Sequence, residues 1–157
     1  MTEKGYQLAQ INVAKAKADM MDPIMKGFVD QLDHINRLAD NSPGFVWRLQ
    51  TEDGDATAIQ AFDDPRVIVN MSVWASYDAL KAYVYSGEHL GVLRERKNWF
   101  DKMETTMLAL WWVPAGHKPT PQEGRQVLER LQAEGPSQEA FTFAKPFPAP
   151  ELADALK

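Results

Sequence analysis

Apolar and polar residues alternate along four segments of the chain, and residues with helical spacing fill the intervals between them. The alternating segments predict strands over residues 6–13, 44–51, 66–74 and 107–113, with a short further strand over 56–62. Asp22 and Pro23 begin a predicted helix, and Ser76 is the expected N-cap of a second, whose spacing resumes over 90–100. The order β-α-β-β-α-β over residues 1–113 predicts an α+β fold, with a ferredoxin-like antiparallel sheet and helices on one face.

Residues 114–157 differ in composition and predict an extension packed on the same domain. They hold seven of the ten prolines and none of the five tryptophans. An amphipathic helix is predicted over residues 120–134, ended by Gly135 and Pro136, and extended chain follows it. Because the tail carries aromatic anchors and both signs of charge, we expect residues 114–157 to pack on the domain formed by residues 1–113.

Both faces of the predicted strands carry large apolar side chains. The strand over 66–74 has valines on one face and Ile68 and Trp74 on the other, and the adjacent Trp111 and Trp112 must point to opposite sides. A ferredoxin-like sheet covers only one face with its helices, so the other face needs a cover. We expect a second copy of the chain to supply it in a homodimer; the alternative is that the tail alone covers this face.

Composition and charge exclude several classes of function. The 157 residues include 17 basic and 22 acidic side chains, a net charge of −5, which is unlike the basic surface of nucleic-acid-binding modules. The absence of cysteine excludes disulfides, thiolate metal sites and a cysteine nucleophile, and with three histidines we expect no metal site. No secretory signal and no apolar run of membrane-spanning length is visible, so we expect a cytoplasmic protein without a membrane partner.

A set of polar side chains on otherwise apolar strands marks a candidate site: Gln10, Asn12, Arg48, Asn70 and Ser72. A buried polar group without a partner costs about 1–3 kcal/mol, so each of them needs one. A small ligand in a cavity between the sheet and its helices can be that partner. The alternative is that these side chains pair with one another, with the backbone or with water.

Several motifs together resemble one known family. They are Leu-Trp-Trp-Val-Pro-Ala-Gly-His at residues 110–117, the segment 44–51, Ser72-Val-Trp74, His89 with Trp99-Phe100, and residues 140–143. From Tyr6 to about Pro150 the chain resembles the domain of unknown function 3291 family. That family lies within the dimeric α/β-barrel superfamily, with antibiotic-biosynthesis monooxygenases, haem-degrading monooxygenases and non-catalytic members. The resemblance implies a ferredoxin-like protomer and a β-barrel dimer, and it brings no assigned activity.

Two hypotheses of function follow. In the first, the resemblance implies a cofactor-independent monooxygenase-like enzyme that oxidises a small aromatic or apolar molecule in a dry cavity, where Asn70 and Arg48 hold a developing oxyanion. Its expected catalytic residues are His89 as the base, Asn70 and Trp74, and its expected substrate-binding residues are Asn12, Arg48, Trp47, Tyr83 and Trp99. In the second, the chain is a non-catalytic ligand-binding or structural dimer, and the aromatic residues belong to its core and interface.

A third hypothesis is haem binding, because a helix histidine can serve as the axial ligand. The haem-degrading relatives use an Asn on the first strand, a Trp on the third and a His on the second helix. The resemblance implies that Asn12, Trp74 and His89 correspond to them loosely, with His89 as the ligand. The spacing from Trp74 to His89 includes an extra stretch at residues 83–87 and departs from the pattern of those relatives. We therefore expect no cofactor, and His89 also fits a structural role at a helix terminus.

Overall fold

The structure, a computed structural model, describes residues 5–18, 21–49, 67–86, 98–100 and 107–150. Two sequence predictions lie outside these residues: the short strand over 56–62, and His89 with most of the helical spacing around it. The predicted helix starts at Asp22, Ser76 and Thr120 fall within the described stretches, and so do the four longer predicted strands apart from residues 50, 51 and 66.

Four strands and three α-helices make up the described part of the chain. In chain order they are β1 (Tyr6–Lys15), a 3-10 turn (Pro23–Met25), α1 (Lys26–Asp40), β2 (Phe45–Arg48), β3 (Val67–Trp74), α2 (Tyr77–Val84), β4 (Leu108–Pro114) and α3 (Pro121–Glu134). The strands form one antiparallel sheet in the order β2-β3-β1-β4. This is the ferredoxin-like order, which confirms the predicted α+β fold. Among the described helices, none has the length and apolar character needed to cross a membrane.

Capping side chains mark the starts of the helices. Asp22 Oδ1 accepts a hydrogen bond from the Ile24 amide at 3.0 Å. The 3-10 turn separates this cap from α1. Ser76 Oγ accepts from the Ala79 amide at 3.1 Å, and Thr120 Oγ1 accepts from the Glu123 amide at 3.1 Å. Each contact satisfies an amide that has no partner within its own helix, so the local sequence is sufficient to begin these helices.

The register of the two central strands decides which side chains share a face. β1 and β3 pair antiparallel, with Gln10 opposite Ser72 and Asn12 opposite Asn70. Successive side chains of a strand point to opposite faces, so all four of these polar side chains lie on one face. We call this the cavity face, and the opposite one the α3 face: in β1, the cavity face carries Leu8, Gln10 and Asn12, and the α3 face carries Ala9, Ile11 and Val13.

A bulge in β2 corrects the strict alternation predicted for this strand. Phe45 pairs with Trp74 but Trp47 pairs with Val73, so the register shifts between them. Phe45 therefore packs on the cavity face, while Trp47 packs against the buried residues of the α3 face. Arg48 then returns to the cavity face. The physical reason is that the extra residue of a bulge reverses the face of the residues that follow it.

Helix α3 of the C-terminal extension covers the α3 face of the sheet. Leu128 and Leu131 of this helix belong to one buried cluster with Ile11, Met71 and Trp111. Each of these side chains is at most 5% exposed in the single chain. The tail thus covers the face for which we expected a second copy. Homodimerisation stays a prediction. Because α3 covers this face within one chain, the argument from an uncovered apolar face no longer supports it.

Candidate functional site

A cavity of about 580 Å³ lies between the cavity face of the sheet and the helices α1 and α2. Its volume is within the ~300–1,000 Å³ range of small-molecule sites. The strands contribute Gln10, Asn12, Ala14, Arg48, Ile68, Asn70, Ser72, Trp74 and Leu108. The two helices contribute Phe28, Leu32, Ile35, Asn36, Ala39, Leu80, Tyr83 and Val84. Other parts of the chain contribute Trp99, Phe100, Met107, Thr142, Phe143 and Ala144.

A hydrogen-bonded row of side chains crosses the sheet side of the cavity, and we call Gln10, Asn70, Ser72 and Trp74 the polar strip. The Gln10 Nε2 amide donates to Asn70 Oδ1 at 2.7 Å and to Ser72 Oγ at 2.8 Å. The indole Nε1 of Trp74 donates to the same Ser72 oxygen at 2.8 Å. In the part of the chain that the structure describes, every buried side-chain N or O atom has a partner. Gln10, Asn70 and Ser72 therefore pair with one another, which is the alternative to a bound ligand that the sequence left open.

Trp74 lies at the centre of an aromatic cluster beside the cavity. Its side chain is fully buried and stacks on Tyr83, with ring centroids 5.0 Å apart and planes inclined by 25°. The Phe45 ring packs edge-on against Trp74, with ring centroids 5.5 Å apart and planes inclined by 84°. Aromatic pairs in these geometries contribute about 0.5–1.5 kcal/mol beyond the area they bury. The two contacts hold the indole in the orientation that its hydrogen bond to Ser72 requires.

An ion pair joins β2 to the last residue of α1 beside the cavity. Arg48 Nε donates to Asp40 Oδ1 at 2.8 Å, and Arg48 Nη2 donates to Asp40 Oδ2 at 3.3 Å. The Arg48 side chain is 13% exposed, and a two-point contact of this kind fixes a guanidinium in place. The cavity wall therefore carries a paired positive charge here, which reduces its attraction for an anionic ligand.

Tyr83 connects α2 to α1 through its hydroxyl group, which donates to the backbone carbonyl of Ile35 at 3.3 Å. Burial is the main cause that raises the pKa of Tyr83 to about 12; the nearby Asp40 carboxylate adds to the rise, and Arg48 opposes part of it. The phenol is therefore protonated at neutral pH. In this state it supports the aromatic cluster and the helix contact, and it is not a proton acceptor.

The raised pKa of Tyr83 predicts a loss of stability at high pH. Below about pH 10 the phenol is protonated in both the folded and the unfolded chain, so its stabilising effect is complete. As the pH rises from about 10 towards 12, the unfolded chain releases the proton and the folded chain keeps it. The free energy of unfolding should fall by roughly 2–3 kcal/mol from this group. Denaturant unfolding of the wild type and Tyr83→Phe over this range measures the difference, and an equal fall in both proteins would contradict it.

Most of the residues expected at the site line this one cavity: Asn12, Arg48, Asn70, Trp74, Tyr83 and Trp99. Trp47 is not among the lining residues, because the β2 bulge turns it to the α3 face, and this corrects the position expected for it. His89 lies outside the described residues, so its position stays a prediction. The catalytic and substrate-binding roles of all these residues likewise stay predictions.

Sequence reasoning missed the cavity walls that come from distant parts of the chain. Leu32 and Ile35 belong to the apolar stripe of α1, which indicated only core packing. Asn36 lies within α1 beside this stripe, and a polar residue there is the signal that could have placed α1 at the site. Residues 142–144 carry no such signal, because the path of the tail depends on packing that no local pattern encodes.

The chemistry that the described residues offer is hydrogen bonding and apolar contact. The polar strip supplies neutral amide, hydroxyl and indole groups, and the helices supply mainly apolar side chains. Across the described residues, no group of three or more His, Cys, Asp or Glu side chains could hold a metal ion. The arrangement is suited to orienting a largely apolar molecule through one or a few polar atoms.

Comparison with solved structures finds proteins that are similar to this chain. A conserved protein from Methanosarcina mazei Go1 is 10% identical, with a TM-score of 0.50 over 69% of this chain and 93% of that one. A protein of unknown function from Nitrosomonas europaea is 12% identical, with a TM-score of 0.47 over 75% and 97% of the two chains. SnoaB, a cofactor-independent oxygenase from Streptomyces nogalater, is 14% identical, with a TM-score of 0.44 over 71% and 95%. At these identities a likeness concerns the fold alone. None of the curated proteins matches the chain.

A family match covers almost the whole chain. The family described as domain of unknown function (DUF3291) matches residues 7–156. This range contains the sheet apart from Tyr6, the three helices and the C-terminal residues that line the cavity. The match confirms the resemblance carried by the motifs at residues 44–51 and 110–117. The chain therefore belongs to the DUF3291 family of domains of unknown function.

Proposed function

We propose that the cavity binds a small, neutral aromatic molecule that carries at least one hydrogen-bonding group. The observation that carries this proposal is the polar strip along one side of an otherwise largely apolar cavity of about 580 Å³. Phe28 and Trp99 offer flat apolar surfaces, and Leu32 and Ile35 offer aliphatic ones. Apolar walls with a few convergent polar groups are typical of sites that orient small molecules.

Some groups at the strip can still bond to a ligand. Ser72 Oγ already accepts two hydrogen bonds, and its O–H proton has no acceptor within the described residues. Asn70 uses Oδ1 to accept from Gln10, which leaves its Nδ2 amide without a described protein partner. The side-chain amide of Asn12 likewise has none in the described stretches. Such neutral donors and acceptors suit the oxygen of a phenol or quinone.

Titration with naphthol tests the proposal, because Trp74 and Trp99 line the cavity and their fluorescence should be quenched by a bound ring. We expect saturable quenching in the wild type and about tenfold weaker binding in Ala14→Leu. Ala14 lines the cavity, so the larger side chain takes up space that the ligand needs. Ala82→Leu adds the same atoms at an exposed position of α2 and should bind like the wild type. Unsaturable quenching in the wild type, or undiminished affinity in Ala14→Leu, would overturn the proposal.

Oxygenation of the bound molecule is the finer hypothesis, and the polar strip supports it. An electron-rich phenol can take one oxygen atom from O₂ at a ring carbon that carries hydrogen. The other oxygen atom leaves as water with this hydrogen and the phenolic hydrogen, and the substrate is oxidised to a quinone, so the overall reaction needs no cofactor. Asn70 is the expected donor to the developing oxyanion, and Trp74 the expected aromatic contact. His89 is the expected proton acceptor and lies outside the described residues. Oxygen consumption that persists in a folded His89→Ala protein would contradict this assignment.

The ligand proposal rests on the cavity walls that this chain itself contributes, including residues 142–144. Homodimerisation and a cytoplasmic location are separate predictions.

A further inference from the structure

We propose that residues 140–147, which we call the C-terminal strap, set the length of the aromatic molecule that the cavity accepts, with Phe143 as the specificity-determining residue. The inference rests on the proposed function, because it concerns the size of the ligand at the same site. Thr142, Phe143 and Ala144 of the strap line the cavity, whereas α3 of the same extension covers the opposite face of the sheet. The C-terminal extension thus contacts both faces of the sheet.

Backbone and side-chain hydrogen bonds hold the strap on both sides of the cavity-lining residues. Phe141 and Leu110 of β4 exchange two backbone bonds, with N···O distances of 2.8 and 2.9 Å. Trp112 Nε1 donates to the Phe147 carbonyl at 3.0 Å. Gln138 Nε2 donates to the Pro148 carbonyl at 2.6 Å, and this bond joins the two residues that flank the strap. These contacts do not involve the side chain of Phe143, so the strap should keep its course when that side chain changes.

A turn between these anchors places Phe143 at the cavity. The Lys145 amide donates to the Thr142 carbonyl at 3.2 Å and closes the turn. The Phe143 ring then packs against two rings of the α2 segment, with centroids 5.8 Å from Tyr77 and 6.1 Å from Tyr85. Phe143 therefore forms part of the cavity wall, and the rings of Tyr77 and Tyr85, which are not among the lining residues, pack against it.

Removal of the Phe143 ring should lengthen the cavity. Structures relax only partly around a deleted ring, and the anchored backbone of the strap limits the relaxation further. The added space lies towards Tyr77 and Tyr85, whose rings would flank the end of a longer ligand. A ligand with more fused rings gains contacts there, while a short one gains little.

Two neutral probes of different length test this inference: naphthol with two fused rings and hydroxypyrene with four. We expect the wild type to bind naphthol more tightly. Phe143→Ala should strengthen hydroxypyrene binding by about fivefold or more, while naphthol binding changes by less than about twofold. Phe143→Trp shortens the cavity and should weaken hydroxypyrene binding relative to naphthol. Fluorescence titration measures the ratio of the two affinities in each protein.

Phe147→Ala is the matched control, because it removes the same ring from the same strap. Phe147 packs against Phe141 at 5.9 Å and is not among the lining residues, so the affinity ratio should equal that of the wild type. If the wild type binds neither probe, the proposed function fails and this inference fails with it. If both probes bind and the ratio is unchanged in Phe143→Ala and Phe143→Trp, or shifts equally in Phe147→Ala, only the role of the strap is overturned. Should Phe143→Ala not fold, Phe143→Leu and Phe143→Trp carry the same comparison.

Discussion

Replacement of Trp74 by alanine is expected to lower the free energy of unfolding by about 3–5 kcal/mol, the largest effect that we predict. The side chain is fully buried, so its deletion leaves a cavity in the core. The variant also loses the stacking on Tyr83, the edge contact with Phe45 and the hydrogen bond to Ser72. Denaturant unfolding measures the change, and a loss below about 1 kcal/mol would contradict the central position that we assign to this ring.

Trp74→Phe separates the ring from its hydrogen bond. The phenyl ring retains an aromatic partner for Tyr83, but the indole N–H that donates to Ser72 is gone. Ser72 keeps the bond from Gln10, so we expect an intermediate loss of roughly 1–2 kcal/mol. If Trp74→Phe were as destabilising as Trp74→Ala, the hydrogen bond rather than the ring would dominate the effect.

Replacement of Gly124 by leucine is expected to destabilise the protein by roughly 2–3 kcal/mol, because it separates α3 from the sheet. A Cβ atom at this glycine would lie 2.8 Å from Cδ1 of Ile11 and 3.0 Å from Sδ of Met71, well inside van der Waals contact. Both neighbours are buried in the α3 face and have little room to move away. With the helix displaced, the exposed apolar face should also favour self-association, which light scattering detects.

Ala133→Leu is the control for this change, since it adds a leucine at an exposed position of the same helix. It should alter stability by less than about 0.5 kcal/mol. Gly124→Ala should be milder than Gly124→Leu, because the helix propensity of alanine, about 1 kcal/mol better than that of glycine, offsets part of the overlap. Equal stability of Gly124→Leu and Ala133→Leu would mean that α3 does not approach the sheet at this residue.

The part of the candidate site that was predictable from sequence comes from the strands. Polar residues on apolar strands, such as Gln10 and Asn70, indicate a site through the alternation pattern alone. That they form one strip depends on the pairing of β1 with β3, which brings residues 60 positions apart to 2.7 Å. The pairing partner and register of a strand depend on contacts between distant segments. The alternation within each strand does not reveal them.

By itself, the sequence determined the fold class, the strand order along the chain and the helix starts, because these depend on alternation, apolar spacing and caps within a few residues. Ser76 and Thr120, for example, bond to amides three residues away. Only the tertiary structure decided that Trp47 packs on the α3 face, that α3 covers this second face of the sheet, and that Phe143 lines the cavity. The physical reason is that each of these outcomes depends on contacts between segments that are far apart in the chain. The extra residue of the β2 bulge changes the face on which Trp47 packs, and the glycine at position 124 lets α3 approach the sheet closely.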